Sequence, residues 1–204
     1  MFTKTRRFVL PIFAVGALLA GCSSSDRPQE GLGTGASVSA PAPQSAHNQA
    51  DITFAQQMIP HHQQALEMAS VVRSQTGNQR ILDLADEIRR AQDPEIQTMT
   101  EWLRTWGAPV PSSAMGHDGM PDTDHDAMAG SMSAEDMAKL GEVKDAEFDR
   151  LWLELMIRHH QGAVDMAKTE LAQGSDVGAK QLAQRIVDAQ QSEITTMNAL
   201  LAQN

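Results

Sequence analysis

The sequence predicts an all-α fold: an antiparallel four-helix bundle assembled from two duplicated helical hairpins. Three observations lead there. Residues 51–69 align with 149–167, and 85–103 with 183–201, at one constant offset of 98, with nine of 19 positions identical in each block. Apolar residues in all four segments recur at spacings of three and four, the period of one helical face. Aromatic residues are only 4% and Tyr is absent, which is poor material for a β-sandwich.

Residues 1–21 read as a secretory leader. Lys4, Arg6 and Arg7 form its positive region, and Phe8 to Ala20 an apolar stretch too short for a membrane span. Leu19-Ala20-Gly21-Cys22 is similar to a bacterial lipobox, in which Cys22, the only cysteine, becomes the lipid-modified N-terminus. A single cysteine excludes an internal disulfide and a Cys-rich zinc site. Residues 22–49, rich in Ser, Gly, Pro and Ala, form a flexible tether to the membrane. The three basic leader residues have no acidic counterpart, so their removal shifts the net charge from −10 to −13. That sign disfavours nucleic acid as a partner. The expected location is the cell envelope, in the periplasm or on the outer face of the cytoplasmic membrane.

The bundle is expected over residues 50–204. In the first helix Met58, His61, Ala65, Met68 and Val72 share a stripe. Pro60 falls inside that pattern, so the helix either kinks before His61 or has its main body begin at Pro60. The second helix carries Ile81, Leu84, Ile88, Gln92, Glu95, Met99 and Leu103, and is closed by Gly107 and Pro109. Gly77 and Gly174 sit where helix C-terminal stops are expected. Residues 107–133 form a connector without helical or strand period, after which Ser133 and Asp136 make a capping box for a short helix interrupted at Gly141. The third and fourth long helices repeat the first two.

Twelve Met and seven His are the compositional feature to explain. His61 shares its stripe with Met58 and Met68, and His159 shares one with Met156 and Met166. His62 and His160 follow directly, turned by about 100°. Imidazole with thioether is a soft-to-borderline ligand set suited to Cu(I), Cu(II) or Ag(I) rather than Mg or Ca. On the partner helices Glu95 and Met99, with Glu193 and Met197, are candidates to complete the shell or to orient imidazole N–H groups, as are Gln92 and Gln190. The bland alternative is that Met fills irregular core space and His pairs with Glu. The connector is a separate signal. Met115, His117, Met120, His125, Met128 and Met132 lie within 18 residues that show no core periodicity, as in a tract that captures and hands over Cu(I).

Met-Ile-Pro-His-His-Gln and Met-Ile-Arg-His-His-Gln, at residues 58–63 and 156–161, resemble the doubled signature of the bacterial domain-of-unknown-function 305 family. The resemblance covers roughly residues 50–202. It implies a ferritin-like four-helix bundle, exported and often lipid-anchored, and places Met58, His61, His62, Met156, His159 and His160 at the family's motif positions. Some members look like periplasmic copper- or silver-binding proteins, and the connector is similar to their Met/His-rich segments.

The reading that follows is a copper-binding, or silver-binding, buffer or chaperone of the envelope, without turnover. Its expected partners are the metal ion, the membrane through the lipid anchor, and copper-handling envelope proteins; the sequence leaves open whether it is a homodimer. Two alternatives stand beside it. A metal-free interaction module on a lipid tether is compatible with the same bundle. A ferritin-like di-metal oxidoreductase would use Glu-x-x-His motifs, but the residues three before His61 and His159 are Met58 and Met156, and Glu-x-x-His occurs nowhere. No Gly-x-Ser-x-Gly motif or phosphate-binding glycine loop is present.

Overall fold

The structure is a computed structural model, which describes residues 47–111 and 129–203. Four long helices carry it: α1 (Gln49–Ser70), α3 (Gln79–Thr105), α5 (Asp145–Gln173) and α6 (Val177–Leu201), with short α2 (Val72–Gln75) and α4 (Ala134–Glu142) between them. Helix α1 packs on α3 and α5 on α6 as two hairpins, and α1 meets α5 along the seam between them. The bundle is all-α, as the duplicated pattern predicts.

Helices α1, α3, α4 and α6 start where a side chain satisfies free backbone N–H groups, whereas α5 begins after Lys144 without a side-chain cap. Asn48 caps α1 in a capping box with Asp51, and Ser133 caps α4 in the predicted box with Asp136. Asn78 and Asp176, repeat equivalents, cap α3 and α6. Helix α1 runs unbroken through Pro60 from Gln49, so its body does not begin at the proline. A second proline, Pro94, lies inside α3.

The predicted glycine stops fare unevenly. Gly107 has φ +68° and closes α3 as expected. Gly174 caps α5 with φ −68°, an ordinary right-handed value, so no left-handed turn calls for it. A Cβ there would overlap the Glu170 carboxyl, which would have to shift. Gly77 lies beyond the end of α2, in the turn before α3.

Two buried aspartates at repeat-equivalent positions lock the hairpins antiparallel across the seam. Asp51, at the start of α1, accepts from the backbone N–H of Ser175 (3.0 Å) and Asp176 (2.9 Å) beyond the end of α5. Asp149, at the start of α5, accepts from the Asn78 amide (2.7 Å) in the turn after α2. The Trp152 indole N–H donates to the Met68 carbonyl (3.0 Å) on the same seam.

The apolar core divides into two clusters. One holds Met68, Met156 and Met197 with Phe148 and Trp152; the other holds Met58 and Met99 with Phe54, Ile59 and Leu103, Met166 being packed at its edge. Met132 corrects an expectation. It belongs to the first cluster and is only 4% exposed, although the connector shows no core period. It is buried because the chain after Gly130 lies down on the bundle, a tertiary event that leaves no local periodicity.

The repeat is broken at Glu170, where the other half has Val72. Glu170 is 1% exposed, and its carboxyl oxygens make no hydrogen bond of good geometry. Burial first, then neighbouring Asp51, pushes its pKa up to about 8. Asp51 moves the other way. Burial acts to raise its pKa, but the Glu170 side chain and the N–H groups of Asn48, Asp176 and Ser175 together hold it below the usual value. Between the ordinary value of 4.5 and about 8, the folded chain holds a proton at Glu170 that the unfolded chain has released. Stability from this group is therefore complete below 4.5 and declines as pH rises through about 8. Glu170→Gln should remove that slope, so the variant melts above the wild type at pH 8.5 and close to it at pH 5. Parallel melting curves at both pH values would count against this account.

Candidate metal centre

The two His pairs meet at the crossing of α1 and α5. All four imidazoles are fully buried. The rings of His61 and His159, 98 residues apart in sequence, lie 3.7 Å apart between centroids with their planes inclined by 35°. His62 and His160, turned away by the helical angle, reach toward the partner helix of their own hairpin. The Nε2 of His62 lies 2.8 Å from Oε2 of Glu95, and that of His160 lies 2.7 Å from Oε2 of Glu193. Adjacent His residues thus occupy two buried faces, one on the seam and one inside the hairpin.

The partners set the tautomers. A carboxylate only accepts, so Nε2 of His62 and of His160 carries the proton and donates. In the neutral ring Nδ1 is then the nitrogen that carries the lone pair, and both Nδ1 atoms are buried without a partner. This is the carboxylate–imidazole pairing that fixes the ring orientation of a metal-binding histidine. Of the two roles predicted for Glu95 and Glu193, orientation is the one this geometry displays.

His61 and His159 have neither nitrogen hydrogen-bonded. Burial, then the neighbouring His62 and His160, lowers the pKa of His61 to about 3, while the nearby Ala129 backbone opposes the shift without reaching hydrogen-bond geometry. Burial, followed by His61, His160 and His62, drives His159 well below its ordinary value, against an opposing His61 backbone contribution. Both rings are therefore neutral at physiological pH, each with one nitrogen lone pair available. Gln92 and Gln190, repeat equivalents on α3 and α6, are also buried, the first with both amide atoms unpartnered and the second with its oxygen unpartnered. An unpaired buried polar atom costs roughly 1–3 kcal/mol. Unpartnered nitrogens on four buried imidazoles fit a site completed by a ligand, and the donors suit a soft or borderline cation.

The other predicted residues fall differently. Met58, Met68, Met99, Met156 and Met197 are fully buried, three in one apolar cluster and two in the other. Met166 is partly exposed and lines a cleft of about 340 Å³ with Thr53, Phe54 and Glu170, away from the paired rings. Among the described residues no three His, Cys, Asp or Glu side chains form a ready-made metal cage. Cys22, Met115, His117, Met120 and His125 lie outside the described residues. His47 stacks on Trp106 at 4.8 Å, giving it a packing role. Among the described residues, no helix is long and apolar enough to cross a membrane.

Sequence reasoning passed over Gln64, Arg158 and Gly162, which hold the returning connector. The signal was present: over residues 58–65 and 156–163 the halves differ at two of eight positions, Pro60/Arg158 and Gln64/Gly162.

The family profile for a domain of unknown function, DUF305, matches residues 51–201. A Streptomyces coelicolor protein described as secreted and assigned to DUF305 is 36% identical, with TM-score 0.65, over 76% of this chain and 91% of its own. A DUF305 fragment from Deinococcus radiodurans is 31% identical, with TM-score 0.67, over 77% of this chain and 98% of its own. CopM in its Cu(II)-bound form is 29% identical, with TM-score 0.63, over 75% of this chain and 96% of its own. CopM is also solved with Cu(I) and with Ag bound. The comparison with curated proteins returns no match. On the profile match and the shared bundle, the chain belongs to the DUF305 family.

Proposed function

We propose that this protein is an exported, lipid-anchored metal-binding protein that buffers or chaperones copper, or silver, in the cell envelope. The observation that carries the reading is the sealed pair His61 and His159, neutral rings in contact with no hydrogen bond to any of their nitrogens. Their lone pairs, with Nδ1 of His62 and His160, supply nitrogen donors, and the buried Met58, Met156, Met68, Met99 and Met197 are the thioethers from which the shell is completed, Met166 lying away from the rings. Cu(I) and Ag(I) accept two or three soft or borderline donors, so they need no preformed cage. The copper- and silver-bound forms of CopM support the same choice of metal. In this reading Cys22 carries the lipid, and Met115, His117, Met120 and His125 form a looser capture tract in the connector.

An anaerobic competition titration of the purified chain against a Cu(I) chelator of known affinity tests this. Sub-micromolar binding is expected, weakened but not abolished when the four connector ligands are replaced by Ala. Failure to compete would leave the metal-free interaction module as the better reading. Loss of all binding with the connector ligands alone would remove the His pairs from the site.

A further inference from the structure

A short piece of chain lies on the His-bearing turns of α1 and α5, and the residues that hold it are those at which the two repeats differ. The Gln64 side chain clamps the Met132 backbone from both sides: its amide N–H donates to the Met132 carbonyl (2.9 Å), and its oxygen accepts from the Met132 N–H (2.7 Å). Arg158 donates to Asp136 (2.6 Å) and to the Met132 sulfur (3.2 Å). Gly162 lets the chain lie directly on α5, since a Cβ there would overlap the Ala129 carbonyl and crowd Gly130. Gly130 itself has φ +79°, and a Cβ on it would come within 2.6 Å of the Arg158 carbonyl oxygen. The Ala129 backbone also lies near the His61 ring, short of a hydrogen bond of good geometry.

These contacts fall on the His-bearing turns of both helices. Gln64 is one turn after His61; Arg158 and Gly162 flank His159. A single strand crossing a pseudo-two-fold axis cannot obey the symmetry, so the two helices must meet it with different residues. Gln64 supplies hydrogen bonds where its equivalent, Gly162, supplies room. Arg158 supplies an ion pair where its equivalent is Pro60.

We propose that Gln64, Arg158 and Gly162 are positioning residues that seat Ala129–Met132 over the paired imidazoles, and that metal enters and leaves the His cluster through release of this seat. The inference rests on the metal-binding reading for its second half; the seat itself does not. A ligand sealed in this way exchanges slowly, and its rate is set by how often the segment lifts. Met132, buried beside Phe148 and Trp152 in the same core cluster, is the apolar peg that returns the segment to place.

The test uses the full chain as wild type, Gly162→Ala and Gln64→Leu. Alanine is a better helix former than glycine, so the first variant should keep α5 while displacing the segment. The second removes both backbone clamps at similar volume. In the metal-free proteins, amide hydrogen exchange over residues 129–133 should be about tenfold faster in both variants, as expected for losing one or two buried hydrogen bonds. With Ag(I) loaded, transfer to an external chelator should also be about tenfold faster, with equilibrium affinity within about threefold of wild type. Gln64→Glu, which keeps the acceptor and loses the donor, should fall between. Unchanged amide exchange in both variants would overturn the seat. Faster amide exchange with unchanged Ag(I) transfer would overturn its control of metal passage. Failure of the metal reading is separately visible, as Ag(I) binding that is insensitive to His61→Ala with His159→Ala.

Discussion

Replacing His61 and His159 together by leucine is expected to weaken Cu(I) and Ag(I) binding by on the order of a thousandfold and to raise the melting temperature of the metal-free protein. The first effect follows from direct ligation, because loss of a group that merely orients a ligand already costs about 10- to 100-fold. Glu95→Gln and Glu193→Gln serve as that smaller reference. The second effect follows from the desolvation of the two rings. Their four buried nitrogens have no partner, and a leucine of similar volume carries no such cost. The net gain should be about 2 kcal/mol after lost ring packing is deducted, read as several degrees in a thermal melt without metal. If these histidines were structural, the signs would differ: binding would persist and the double variant would melt lower. That outcome would sink the proposed centre. A site that sacrifices stability for donor atoms is the signature sought, since function commonly resides where local consistency is broken.

Trp152→Ala is expected to destabilise the bundle by about 4 kcal/mol, lowering the melting temperature by roughly 10 °C for a domain of this size. Trp152 is the largest fully buried side chain, and its N–H holds the Met68 carbonyl across the α1–α5 seam. Alanine would leave both a cavity and an unpaired carbonyl. The repeat supplies the control: the equivalent position is Phe54, so Trp152→Phe should lose the hydrogen bond and little packing, costing about 1–2 kcal/mol. Far-UV circular dichroism during heating separates the two. Equal melting of the Ala variant and the wild type would mean that the seam is not held as described.

Both predictions depend on a seam that the linear chain only partly discloses. The helices themselves are local objects. Met58, His61, Ala65 and Met68 mark one face of α1 because three- and four-residue spacing repeats the helical turn. The 98-residue offset transfers that reading to α5 without further assumption. The Ser133–Asp136 capping box is equally local, and it forms as predicted. The Asn48–Asp51 box was legible by the same rule, although a tether was expected to run to residue 49.

The candidate site divides along the same line. Adjacent His residues had to occupy different faces, and the spacing showed that. Which face met the other hairpin, and which met Glu95 or Glu193, depended on how α1 and α5 rotate against each other. Met132 illustrates the cost of local reasoning. Its neighbours Gly130 and Ser131 carry no period, yet it sits in the core because Gln64 grips its backbone. Glu170 shows the reverse: as a charged residue one turn before Gly174 it reads as surface, while packing against Asp51 buries it.

Sequence by itself determined the duplicated helical hairpins, the all-α class and the placement of imidazole and thioether groups on their helices. Each of these is written in spacings of a few residues or in one constant offset. Only the tertiary structure decided that His61 stacks on His159, that their nitrogens go unpaired, that Glu95 and Glu193 set the tautomers of the other pair, and that Gln64, Arg158 and Gly162 hold the returning chain above them. Those are contacts between groups distant in sequence, and they arise from the packing of one hairpin on its duplicate, for which helical periodicity carries no code.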